Sequence, residues 1–103
     1  MAKSYSEKYL LSLNDLNEKR IGVQFGKLCV KANLPPSMIA DAMAVSRMSV
    51  YNWFRGKVVN QKNVEKVERF MDIIEDNLNK GNLPVLSTSQ ARNFITEKIV
   101  SKL

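Results

Sequence analysis

Apolar side chains recur along this chain at helical rather than strand spacing. From Glu18 onward, Ile21, Phe25, Leu28, Cys29 and Ala32 return every three or four positions. This predicts a helix ending near Asn33, with Asn14, Asp15 or Asn17 as its N-cap. Gly22 and Gly26 fall inside it, and each lowers helix propensity by roughly 1 kcal/mol relative to alanine, so close packing against a neighbour is expected there. Pro35 and Pro36 then break the pattern and suit the opening of a second helix, about Pro36 to Met43, with Met38, Ile39 and Met43 apolar. Three residues later Ser46 can cap a third helix that runs through Arg55 and is terminated by Gly56.

The fourth predicted helix is the longest. It starts near Asn60 or Asn63, lines up Val64, Val67, Phe70, Met71, Ile74 and Leu78 along one seam, and closes at Lys80 and Gly81. After NKGNLPVL, the triplet Ser87-Thr88-Ser89 with Gln90 offers capping chemistry for a fifth helix from Ser89 to about Lys102. Ala91, Phe94, Ile95, Ile99 and Val100 share one of its sides. Ahead of all these, Tyr5, Tyr9, Leu10, Leu13 and Leu16 allow either a docked arm or one face of a short helix over residues 1–17. Val58-Val59 and Val85-Leu86 are too short for strands, and no repeat or low-complexity tract is present. The expected fold class is all-α, a compact domain of four to five helices.

Charge changes this picture. The chain has 103 residues and a formal net charge of +6, with no histidine. Of that excess, five charges fall between residues 18 and 57, where Lys19, Arg20, Lys27, Lys31, Arg47, Arg55 and Lys57 face only Glu18 and Asp41. A basic surface of this kind suits an anionic partner, with nucleic acid and an anionic membrane both candidates. The single cysteine, Cys29, sits in an apolar run, can form no internal disulfide, and reads as a buried structural thiol in a reducing, cytoplasmic setting. No apolar stretch is long enough to span a bilayer, and the N-terminal residues lack the apolar segment of a signal peptide.

Two short helices joined by three residues, the second polar and basic, form a geometry that fits the DNA major groove. Ile39 and Met43 would face inward from the first of them and Val50 and Trp53 from the second. Ala40 is small where the helices would cross, and Val45 would plug the turn. The segment PSMIADAMAVSRMSVYNWFRGK, preceded by a helix at the right distance, resembles the Cro and phage-repressor-like helix-turn-helix family over about residues 18 to 57. Its most specific parts are ADAMAVS and VYNWFRG. The resemblance implies a lambda-repressor-like fold and a bacterial or phage transcriptional regulator that binds double-stranded DNA as a homodimer. Two departures stand out. Pro35-Pro36 replace the family's Thr-Gln, whose glutamine touches a phosphate, which leaves Ser37 as the substitute. Ala44 stands where the family favours glycine in the turn, and a left-handed alanine would cost roughly 1–2 kcal/mol.

With the third helix starting after Ser46, the candidate base readers are Arg47, Met48, Ser49 and Asn52. Arginine grips guanine through two acceptors, asparagine pairs similarly with adenine, and methionine can meet a thymine methyl. Ser37, Ser46, Tyr51, Arg55 and Lys57 are the candidate phosphate contacts, which set register rather than sequence. Residues 18–80 would then form the DNA-binding unit, and 81–103 an amphipathic helix for dimerisation or partner docking. A second class of function stays open: a protein-interaction module, antitoxin-like or binding a host polymerase, that uses residues 60–103. Catalysis finds no support, since there is no histidine, no base beside Cys29 and no Gly-rich phosphate loop. Asp72, Glu75 and Asp76 read as a solvated or partner-facing helix edge. No cofactor or metal is expected.

Overall fold

Each predicted helix has a way to stop, and in the structure four successive helices stop in the same way. The computed structural model describes Tyr5, Ser6, Lys8 and residues 20–103. Its helices are α1 (Ile21–Ala32), α2 (Pro36–Met43), α3 (Arg47–Phe54), α4 (Gln61–Asn79) and α5 (Thr88–Phe94). The last continues as a wide π turn, Ile95–Ile99, and a 3-10 turn, Val100–Lys102. Among the described residues there is no strand.

After α1, Asn33 takes a left-handed conformation and the amide of Leu34 donates to the carbonyl of Cys29 at 3.0 Å. After α2 the left-handed residue is Ala44, with Val45 donating to Ala40 at 3.0 Å. Gly56 and Gly81 play this part after α3 and α4, where Lys57 donates to Asn52 and Asn82 to Asn77, both at 2.9 Å. These six-to-one bonds are Schellman closures, which favour glycine or asparagine at the left-handed position. Ala44 is the misfit, at φ 57°. Ala44→Gly should therefore raise stability by about 1 kcal/mol, the relief of strain being partly offset by a more flexible unfolded chain. A shifted denaturant midpoint at constant m-value checks it.

Helix starts divide into capped and uncapped. Ser46 Oγ accepts from the amide of Ser49 at 3.1 Å, and Ser87 Oγ accepts from that of Gln90 at 3.1 Å. The Gln90 side chain reaches back to the Leu86 amide at 2.9 Å. The expected N-caps of α1 lie outside the described residues. The helix opens instead after Arg20, which contributes no side-chain cap, only its carbonyl to the amides of Val23 and Gln24. Asn60 precedes α4, also without a side-chain cap.

One apolar core joins all five helices. Phe25, Cys29, Ile39, Val50, Phe54, Val67, Phe70, Ile74 and Ile99 are fully buried within it. Phe25 stands edge-on to Phe54 at 5.7 Å between ring centres and to Phe70 at 5.1 Å, so a chain of three rings ties α3 to α1 and α1 to α4. Burial pushes the Cys29 thiol well up, so it stays protonated and packs as a small hydrophobe. The glycines of α1 do meet close neighbours. A Cβ on Gly22 would collide with the Trp53 carbonyl, and one on Gly26 would sit 2.9 Å from Phe54 Cγ.

The C-terminal segment belongs to this core. Ala91, Phe94, Ile95 and Ile99 are buried in it, and the π turn packs on α2 and α4. The radius of gyration, 12.5 Å, is that of one globule of this length. Two sequence expectations are corrected here. The segment is not one regular helix, and Val100 is 52% exposed instead of sharing the apolar side. A π turn advances fewer degrees per residue than an α turn, which rotates the following residue out of the stripe.

Tyr5 is buried, and its hydroxyl donates to the carbonyl of Leu34 at 2.7 Å, so the start of the chain touches the far end of α1. Tyr9, Leu10, Leu13 and Leu16 lie outside the described residues. A second tie crosses the chain at the same place. Val85 donates its amide to Ala32 at 3.1 Å, and Asn33 Nδ2 returns a bond to the Val85 carbonyl at 3.1 Å.

Candidate nucleic-acid interface

The third helix has two faces with different duties. Val50, Trp53 and Phe54 point into the core and are buried. The Ser46 cap and the Schellman closure at Gly56 fix the two ends of α3, so its eight residues have a defined start, stop and rotation. On the outer face Arg47, Met48, Tyr51 and Arg55 are exposed, while Ser49 and Asn52 are half-buried. Met48 is 64% exposed, which is high for a long apolar side chain in water. Tyr51 is 37% exposed. Lys57 follows on the exposed loop.

Residues 46 to 57 thus carry all the predicted contacts except Ser37, which stands half-buried on the first turn of another helix, α2. Position 58 was missed by sequence reasoning. Val58 is 72% exposed directly after Lys57, and its β-branched neighbour Val59 is buried, a one-in, one-out loop that the hydropathy of the pair hides.

Hydrogen bonds organise part of this face. Ser46 Oγ lies 3.0 Å from Ser49 Oγ, and Arg55 Nη2 donates to Asn52 Oδ1 at 3.1 Å. Each pair is three residues apart and hence a neighbour on one side of the helix. The i,i+3 spacing makes both pairs possible, and the rotamers decide that they form.

The charge is uncompensated. Among the described residues Arg47, Arg55 and Lys57 take part in no ion pair. The first turn of α3 carries no acidic residue, so Arg47 adds its charge to the positive end of the helix dipole. Three acids of α4, Glu68, Asp72 and Glu75, line a groove against Ile21 and Gln24 of α1. Asp76 pairs with Lys80 at 2.9 Å on the exposed end of α4.

Such a surface can meet phosphates with its cations and the Tyr51 hydroxyl, and can set Met48 against a thymine methyl. Among the described residues, no group of three His, Cys, Asp or Glu side chains could hold a metal ion, and no helix is long and apolar enough to cross a membrane. The chain matches no protein-family model, no curated protein and no solved structure.

Proposed function

We propose that this chain is a sequence-specific double-stranded-DNA-binding regulator, repressor-like and acting in the cytoplasm of a bacterium or for its phage. The observation that carries the reading is the outer face of α3. It offers Arg47, Met48, Ser49, Asn52 and Arg55 on a short helix that is anchored from behind and carries no acidic residue of its own. An α-helix of this size fits the major groove, and a three-residue turn joins it to α2 while its inner face packs on the core. The lambda-repressor-like resemblance of residues 18 to 57 supports the same reading. Arg47 reads bases from the helix start, while Ser37, Ser46, Tyr51, Arg55 and Lys57 hold phosphates. Pairing of two copies would present two such helices to half-sites about one helical turn apart.

Selection of bound sequences from a random duplex library at near-physiological salt tests the proposal. A two-fold-symmetric motif is expected. Arg47→Ala should weaken binding by about 1–3 kcal/mol and relax one base position, whereas Lys57→Ala should weaken all sequences alike and flatten the salt dependence. Binding without any sequence enrichment would remove the regulator reading.

The second reading, a protein-interaction module built on residues 60–103, draws on two exposed apolar side chains, Leu86 and Val100. Val100 borders a shallow groove with Met38, Asp41, Ala42, Arg92, Ile95 and Thr96. The main apolar face of the segment is already spent on the core, so a dimer mate or protein partner must use this outer rim. A folded protein that binds no DNA would favour that reading.

A further inference from the structure

We infer that Arg55 is a positioning residue that presets Asn52 as a hydrogen-bond donor, so that this point of the α3 face takes guanine rather than adenine. The inference rests on the DNA-reading function proposed above, and it revises the asparagine–adenine pairing expected from residue type alone.

A carboxamide has an acceptor oxygen and a donor nitrogen, and rotation about its last bond exchanges them. Asparagine takes adenine by using both at once, donating to N7 and accepting from the N6 amino group. In this structure the exchange is disfavoured. Arg55 Nη2 donates to Asn52 Oδ1 at 3.1 Å, and a guanidinium is always charged and can only donate. A flipped amide would set Nδ2 against Nη2, donor against donor. The oxygen is therefore held on the arginine side. The Asn52 backbone is fixed as well, since its main-chain carbonyl accepts from the Lys57 amide at 2.9 Å in the closure of α3.

What is left to the groove is Nδ2. Among the described residues it has no acceptor. Guanine shows two acceptors in the major groove, N7 and O6, and no donor, which suits an amino group with both hydrogens available. Adenine shows a donor at N6 that would have to share Oδ1 with a cation already bound there. The remaining guanidinium hydrogens of Arg55 stay available for a phosphate, so one residue can anchor the helix and orient its neighbour.

The experiment compares the wild-type chain with Asn52→Ala, Arg55→Ala and the double variant, in selection from a random duplex pool and by NMR of the Asn52 side-chain amide in the free protein. Neither side chain belongs to the apolar core, and the circular dichroism spectrum and melting temperature of each variant confirm that it is folded before binding is compared. The wild type is expected to prefer guanine at one position by about tenfold or more, and Asn52→Ala to lose that preference. Arg55→Ala should weaken binding to every sequence and also bring guanine and adenine near parity at the same position. The double variant should match Asn52→Ala there. Without DNA, Arg55→Ala should shift the Asn52 Nδ2 signals and speed their exchange.

Selection of adenine by the wild type, or a guanine preference that survives Arg55→Ala, would overturn the inference. So would Asn52 amide signals that ignore Arg55→Ala, whatever the DNA result. A wild type that enriches no sequence would instead overturn the DNA-reading premise, and the base assignment with it, while the amide signals still report on the pairing.

Discussion

Gly22→Ala is expected to destabilise the protein by about 2 kcal/mol or more, although alanine is the better helix former by roughly 1 kcal/mol. The reason is where the methyl would go. A Cβ at this position lands on the Trp53 backbone, with the carbonyl carbon 2.8 Å away and Cα 3.0 Å away. These are main-chain atoms of α3 and cannot rotate aside. The same carbonyl also accepts from the Gly56 amide at 3.0 Å, so moving it disturbs the closure of α3. Relief requires separating α1 from α3 by about an ångström in a close-packed interior, which is the costly end of overpacking. Against a total stability of 5–15 kcal/mol for a domain of this kind, the loss lowers the melting temperature by about 10 °C or more. Thermal unfolding followed by circular dichroism checks it. An unchanged or higher melting temperature would mean that α1 and α3 do not cross this closely.

That crossing was legible in the sequence because two glycines four apart in a helical pattern have few other uses. Other features were legible for equally local reasons. Pro36 at a first helical position, Ser46 as a cap and Gly56 as a stop each force one backbone conformation, and α2 and α3 begin and end where those residues dictate. The C-terminal segment was less legible. Its apolar spacing fits a regular helix, and nothing in the side chains announces that packing on α2 and α4 widens a turn at Ile95–Ile99. Polar core residues were hidden too. Asn77 is buried in α4, where Nδ2 donates to the Ile73 carbonyl at 2.8 Å and Oδ1 accepts from Asn82 at 2.9 Å. Hydropathy places such a residue outside, and only the turn it braces explains it.

The candidate site divides along the same line. Which residues face out from α3 follows from a 3.6-residue period and from the apolar identities of Val50, Trp53 and Phe54. How those residues hold one another does not follow from it. The pairing of Arg55 with Asn52 depends on rotamers, and residue type alone suggested a different partner for each. Ser37 shows the opposite failure, since its assignment came from alignment with a family pattern and it stands apart from the α3 cluster, on α2.

Phe54→Ala is expected to remove about 3–5 kcal/mol of stability. The ring is fully buried, stands edge-on to Phe25, and fills the space that Gly26 leaves by having no side chain. Its loss leaves a cavity between α1 and α3 that neither helix can close without moving. Because Phe54 is the last residue of α3, the cavity also frees the helix proposed to read bases to shift or tilt. Base contacts need placement to within a fraction of an ångström, whereas phosphate contacts tolerate displacement, so selectivity should fall further than general DNA affinity. Phe70→Ala supplies the comparison. Phe70 is equally buried and touches the same central ring, but it lies on α4. Under conditions where both variants are folded, Phe54→Ala should lower the ratio of specific to random-sequence affinity by about tenfold or more, and Phe70→Ala should leave it near wild type. Denaturant unfolding would match the two for stability, and competition binding at fixed salt would measure the ratio. Equal loss in both variants would mean that selectivity tracks the stability of the whole domain and not the seating of α3.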